Sequence, residues 1–300
     1  MFFSVTPRAA IITLCCVGLS MGVAAQPPSS ISFSASPLYQ FDSDLERGGQ
    51  SGYSALLMAL GASWTLGSGA RIGLQLRLDE QDWRFRDPVA FLGVAPWNRI
   101  TQVGVSLPYA VTSADGWRLN LTPTIEYAGE SGARFSDALE YGATVSAAKR
   151  LRPDLTLGLG VGVFSKIEET SAFPFVVVDW NITERVRLTN PFPAGPAGPA
   201  GLQLSYAFDA GWSAGVGAAY RSNRFRLDKN GPVANGIGEH RFIPVYIQLA
   251  RDLSERLRLD LYAGVSTATR LRVEDHRGRK LIEEDQDPAP MLGITLSGRF

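Results

Sequence analysis

Cysteine is nearly absent. The two present, Cys15 and Cys16, lie within the first 25 residues, so the rest of the chain can build neither a disulfide nor a thiolate metal site. Histidine is as scarce: His240 and His276 do not stand at metal-ligand spacing, and no metal or cofactor is implied. An excess of either charge is missing too. Lys plus Arg and Asp plus Glu number 29 each, which removes electrostatic support for nucleic-acid binding. Beyond the first residues no apolar run approaches the length of a membrane helix, and the mean hydropathy is +0.00.

What is there begins with a leader. Residues 1–25 carry Arg8, an apolar run from Ala9 to Val17, and the small residues Val23, Ala24 and Ala25. That pattern predicts a secretory signal peptide cut after Ala25, leaving a single domain over 26–300.

The domain reads as strands. Leu292, Ile294, Leu296 and Phe300 fall on one face of the last segment, while Gly293, Thr295, Ser297 and Arg299 fall on the other. Segments of this kind lie near 31–40, 53–65, 70–80, 98–110, 117–127, 138–150, 155–167, 174–182, 184–190, 201–208, 212–226, 240–251, 256–269 and 290–300. Long and short connectors alternate between them. The pattern predicts an all-β fold, a transmembrane antiparallel up-and-down barrel of about fourteen strands with periplasmic termini, in a bacterial outer membrane. Twelve strands would keep the same parity. Alternation also accounts for the average hydropathy, because each strand contributes one greasy and one wet row.

Outward rows read as Ile72, Leu74, Leu76 and Leu78; Leu155, Leu157, Leu159, Val161 and Val163; Ile243, Val245, Ile247 and Leu249; and Leu257, Leu259, Leu261 and Val265. A Lys or Arg at mid-membrane on such a row costs about 2 to 4 kcal/mol, and these rows contain none. Trp64, Tyr109, Trp117, Trp180, Tyr206, Phe208, Trp212 and Phe300 fall at the periplasmic strand ends and predict a girdle there; Tyr127, Tyr141 and Tyr220 fall toward the outer ends.

The opposite rows are charged. Arg71, Arg77, Arg118, Arg185, Arg187, Arg221, Arg256 and Arg258, with Glu126, Glu140, Asp179 and Asp260, are the expected pore-lining residues. Most of the arginines fall in the periplasmic half, where they would favour anions. The plainer reading is mutual pairing: a hairpin centred on Thr183 sets Asp179 opposite Arg187, and one near Ser254 brings Asp260 within reach of neighbouring arginines. Inward glycines, among them Gly142, Gly160 and Gly162, either make room for arginines or curve the strands.

Three loops bear on function. The segment around His276, followed by Glu283, Glu284, Asp285 and Asp287, reads as a solvated outer loop meeting lipopolysaccharide and its cations; a catalytic base or a calcium loop is the sharper alternative. His240 with Glu239 reads as rim decoration. The apolar loop Phe85 to Trp97 either folds inward as a constriction or extends the strands into the outer aromatic girdle, and the second is favoured. The run PAGPAGPAG at 193–201 is too short for a collagen helix and reads as an outward loop.

Five stretches carry a resemblance: AGESGARFSDALEYG at 128–142, LGLGVGVFSKIEE at 157–169, FPFVVVDWNITERVRL at 173–188, GEHRFIPVYIQL at 238–249 and EEDQDPAPMLGITLSGRF at 283–300. In that order they resemble a family of bacterial outer-membrane β-barrel proteins catalogued as a domain of unknown function. The resemblance implies a barrel and an outer-membrane address, and no activity. Residues 190–200 depart from the family's spacing.

The expectation is therefore a porin-like channel for small polar or anionic solutes rather than an enzyme. Its partners would be outer-membrane lipid, lipopolysaccharide and the barrel-assembly machinery, the last through the strand ending at Phe300. The alternative is a closed structural or surface-interaction barrel whose lumen charges pair and whose outer loops bind a partner or lipopolysaccharide.

Overall fold

Period-two alternation runs through the whole domain, and the chain answers it with strands. The computed structural model describes residues 28–67, 69–190, 200–208 and 211–300. The leader expected at 1–25, most of the Pro-Ala-Gly segment, and Ser68, Asp209 and Ala210 of two expected turns lie outside the described residues.

Seventeen strand segments form one sheet: β1 (Ser30–Asp44), β2 (Gln50–Thr65), β3 (Arg71–Arg86), β4 (Arg99–Ser106), β5 (Tyr109–Thr112), β6 (Trp117–Glu130), β7 (Leu139–Arg152), β8 (Leu155–Lys166), β9 (Glu169–Asn181), β10 (Val186–Thr189), β11 (Gly201–Ala207), β12 (Trp212–Ala219), β13 (Arg221–Arg226), β14 (Ile237–Asp252), β15 (Leu257–Glu274), β16 (Lys280–Gln286) and β17 (Ala289–Arg299). Three pairs are single staves broken once. Leu107 and Pro108 interrupt β4 and β5, Tyr220 separates β12 from β13, and Asp287 and Pro288 separate β16 from β17. Fourteen antiparallel staves result, closed by β17 against β1. At the seam the main chains of Ile31 and Phe300 exchange two hydrogen bonds of 2.8 Å, and the rings of Phe33 and Phe300 stack at 6.2 Å.

Among the described residues no helix is long and apolar enough to cross a membrane; the barrel crosses with strands. Ile72, Leu74, Leu76, Leu159, Val161, Val163, Val245, Ile247 and Leu249 stand exposed on the outer face, an arrangement that only hydrocarbon rewards. At the lower end, which carries Ser30 and Phe300, three of the rings expected in a girdle hold a cation over their faces. Lys149 sits 5.3 Å from the Trp117 centroid, Arg251 5.1 Å from Trp212, and Arg256 5.9 Å from Phe300. Tyr109, Trp117, Tyr206, Phe208 and Phe300 are exposed there, and Trp64, Trp180 and Trp212 are partly covered.

The upper end differs from expectation in three ways. First, several segments expected as long loops are strand. β15 and β16 run to a turn at 275–279, and β8 and β9 are joined by Ile167 and Glu168 alone. Cross-strand charge explains the extension: Arg270 pairs with Asp285 at 2.8 Å, and Arg272 with Glu283 at 2.5 Å. Second, the apolar loop after β3 does not join an outer girdle. It folds inward, burying Phe91 and Trp97, because removing these side chains from water outweighs a place at the rim. Third, His240 and Glu239 are not rim decoration. Both are buried, and the His240 ring lies 4.8 Å from Trp83 and 4.3 Å from Phe242.

The last two departures share one cause. The upper part of the β13–β14–β15 leaf leans across the mouth until Arg226 of β13 bridges Gly129 of β6, on the far side of the barrel. β-bulges between Arg241 and Ile243 of β14, and a positive φ at Ala268 of β15, mark the bend. Phe225, His240, Leu271 and Val273 thereby meet Tyr53, Trp83, Trp97 and Ile100 in a packed apolar core inside the upper lumen. The lumen is plugged on that side.

Candidate functional site

Beside the plug lies an open cavity of about 1040 Å³, bounded by β6 to β9 and β11 to β14. β3 contributes Arg77, β6 Glu126, β7 Glu140, β8 Lys166 and β13 Arg221. Arg77 is hydrogen-bonded to Asp79, its neighbour on the same face. Glu140 is buried and its Oε1 has no protein hydrogen-bond partner; the same holds for Gln102 Oε1 and Ser171 Oγ on the same cavity.

An aromatic wall faces these charges. Phe164 and Phe173 stack at 6.0 Å, and Phe173 lies 6.3 Å from Phe175. The inward glycines explain why the rings can lie flat. A Cβ on Gly160 would stand 2.2 Å from the Phe175 ring and one on Gly162 2.5 Å from Phe173, while one on Gly142 would meet the Val163 carbonyl oxygen at 2.3 Å before the Phe164 ring at 2.5 Å. Space for phenylalanine, rather than for arginine, is what these glycines provide.

The lower lumen holds the remaining charges. Arg258 pairs with Asp252 and with Asp260, each at 3.0 Å, and donates to Ser213 Oγ at 3.1 Å. Arg187 reaches Asp179 at 2.8 Å, but diagonally: Asp179 stands opposite Thr189, and Arg187 opposite Asn181. Arg71, Arg118, Arg185 and Arg256 are exposed near the lower strand ends. Of the twelve charged residues expected to line a pore, the cavity brings together Arg77, Glu126, Glu140 and Arg221; the other eight lie below it or in the lower lumen.

The acids of the outer hairpin are engaged. Besides the Arg270 and Arg272 pairs, Glu284 holds Arg47 at 2.5 Å, and Asp275 accepts from the main-chain N–H groups of Arg277 and Arg279, each at 2.9 Å. His276 is exposed in that turn. Among the described residues no group of three or more His, Cys, Asp or Glu is arranged to hold a metal ion.

The profile of a family described as a domain of unknown function, DUF6268, matches residues 96–297. The chain belongs to that family. No curated protein matches it. Among solved structures, the COG4313 outer membrane channel from Pseudomonas putida F1 is similar over 92% of this chain and 97% of its own, at a TM-score of 0.50 and 12% identity. That likeness is one of barrel fold. The P. putida toluene transporter TodX matches at a TM-score of 0.39 and 9% identity, covering 90% of this chain and 89% of its own. The KdgM porin matches at 0.33 and 9%, covering 87% and 97%.

Phe164, Phe173, Phe175, Gln102 and Lys166 escaped the sequence reading. The signal that could have found the phenylalanines is the pairing of Gly160 and Gly162 with them across β8 and β9, which needs the register to be known.

Proposed function

We propose that the protein is an outer-membrane channel for small polar or anionic solutes. The observation that carries this reading is the cavity of about 1040 Å³ inside a closed barrel, since a barrel serving only as a scaffold has no use for an internal compartment of solute size. Beneath it Arg71 and Arg118 stand exposed near the lower strand ends, and basic side chains at the mouth of a lumen raise the local concentration of anions. The last strand, ending at Phe300, would be the segment read by the barrel-assembly machinery.

A planar bilayer tests the reading. Purified protein is expected to conduct, with a reversal potential in a salt gradient that favours anions, and Arg71→Gln with Arg118→Gln is expected to move that potential toward zero selectivity. Absence of conductance, or preference for cations, overturns it. The second reading, a closed barrel that binds lipopolysaccharide or a partner through its upper hairpins, is favoured by the plug and by the paired lumen charges; it predicts no conductance and binding abolished by trimming 275–279.

A further inference from the structure

The turn between β14 and β15 carries two arginines on the outward side of the barrel. Arg251 continues the exposed row of Ile247 and Leu249, stands directly opposite Trp212 of β12, and lies 5.1 Å over that ring. Arg256, expected in the lumen, lies instead 5.9 Å over the ring of Phe300, which is exposed on the same face as Leu292, Ile294 and Leu296. Both arginines are exposed, and among the described residues neither is ion-paired. Asp252, between them in sequence, is held by Arg258 at 3.0 Å, and Glu255 is the other acid of the turn.

The main chain fixes where these cations stand. Ser254 Oγ accepts from the N–H groups of Arg256 at 3.2 Å and of Leu257 at 3.1 Å. Asp252 N–H donates to the Gly211 carbonyl at 2.9 Å, which holds the turn beside Trp212, and Arg299 N–H donates to the Arg256 carbonyl at 2.9 Å, which holds it beside the last strand. Each guanidinium already rests on a ring, so little freedom remains to be lost when an anion binds. Immediately above, Leu249, Leu261 and Ile294 stand abreast on neighbouring strands, all exposed. Positive charge at the foot of an outward apolar row matches a lipid, with its phosphate below and its acyl chains above.

We propose that this turn binds one anionic glycerophospholipid, whose phosphate bridges Arg251 and Arg256 and whose acyl chains lie along Leu249, Leu261 and Ile294. Net negative charge is the selective feature, because the ammonium of a zwitterionic headgroup brings like charge toward the arginines and a glycerol headgroup does not. The phosphates of lipid A share the chemistry, but the site lies at the rim of Ser30 and Phe300, expected on the periplasmic side, where the leaflet is glycerophospholipid. Lys149 over Trp117 repeats the pairing at the same rim with a single cation, beside Asp115 of the adjoining turn. Nothing in the site depends on conduction through the lumen.

Lipid titration of the full chain, purified in detergent as the folded barrel, tests the site, with bound lipid read by native mass spectrometry. Phosphatidylglycerol is expected to bind more tightly than phosphatidylethanolamine of the same acyl chains. Arg251→Gln with Arg256→Gln should weaken phosphatidylglycerol about thirtyfold, the effect of two surface cations, and erase its advantage, while Lys149→Gln leaves both affinities as they were. Equal binding of the two phospholipids by the unaltered protein, no loss in the double variant, or an equal loss in Lys149→Gln overturns the proposal. So does lipid A that binds more tightly than phosphatidylglycerol and loses that binding with the same two arginines. Folding of each variant is read from heat-modifiable gel mobility. If the double variant does not fold, salt decides on the unaltered protein: raising ammonium acetate from about 0.1 to 1 M should weaken phosphatidylglycerol and spare phosphatidylethanolamine, and a preference indifferent to salt overturns the proposal.

Discussion

The guanidinium of Arg224 donates to the main-chain oxygen of Ile167 at 2.8 Å and to Glu274 at 2.5 Å, both within the buried interior of the upper barrel. One side chain thus ties the leaning leaf to the β8–β9 turn while neutralising a carboxylate carried inward by β15. Arg226 repeats the device one pleat higher, donating to the carbonyls of Asp137 and Asn235, each at 2.9 Å, and pairing with Glu168 at 3.2 Å.

Arg224→Leu takes from Glu274, 4% exposed, the cation 2.5 Å away and leaves it only Arg272 at 3.5 Å, while Glu239 keeps Arg241 at 2.5 Å. Breaking a buried pair from one side costs about 3 to 5 kcal/mol, so the urea midpoint of the reconstituted barrel should fall accordingly. Arg224→Lys should lose less, because the charge stays and only the forked contact goes.

Trp97 is 1% exposed and meets Trp83 at 5.5 Å and Phe225 at 5.2 Å. Trp97→Ala should cost about 3 to 5 kcal/mol in denaturant unfolding. It should also enlarge unitary conductance in a planar bilayer, because the plug then no longer fills its side of the lumen. An unchanged conductance would separate the plug from the pathway.

Gly160→Ala sets a methyl 2.2 Å from the Phe175 ring. Overpacking of this kind costs about 1 to 3 kcal/mol, and Phe175→Leu should recover most of it. The double-mutant cycle on thermal unfolding measures the coupling; additive losses would mean that the glycine serves the backbone and not the ring.

The turn at 275–279 should respond to acid. The main-chain N–H of Arg279, then its side chain and the N–H of Arg277, hold the Asp275 carboxyl at about 2, well below the usual carboxylate range. A depressed value means that the folded turn binds fewer protons than the unfolded one, so its stabilisation is complete above the ordinary carboxylate pKa of about 3.9 and is lost as pH falls through about 2. Amide exchange at Arg277 and Arg279 should quicken over that interval, and Asp275→Asn should remove the dependence.

The barrel was legible from period-two patterning because the outward rows, such as Leu155 to Val163, admit only one register facing hydrocarbon. Strand positions and parity follow from it. The plug was not legible. Phe91, Trp97 and Phe225 are apolar residues of the upper barrel that could serve an outer girdle equally well, and only the lean of β13 decides between them. His240 misled for the same reason, since a histidine beside a glutamate reads as polar surface until its neighbours, Trp83 and Phe242, are known. The Asp179–Arg187 pair was anticipated with its register two residues off, because a turn of uncertain centre shifts the facing residue while a long arginine still reaches its partner.

The seam between the first and last staves sets an order on biogenesis. Ile31 and Phe300 meet only after every residue between them has been made, so no ring can be sealed during synthesis, and closing so long a span delays the final pairing. Until then two raw sheet margins stay open, each able to capture another chain.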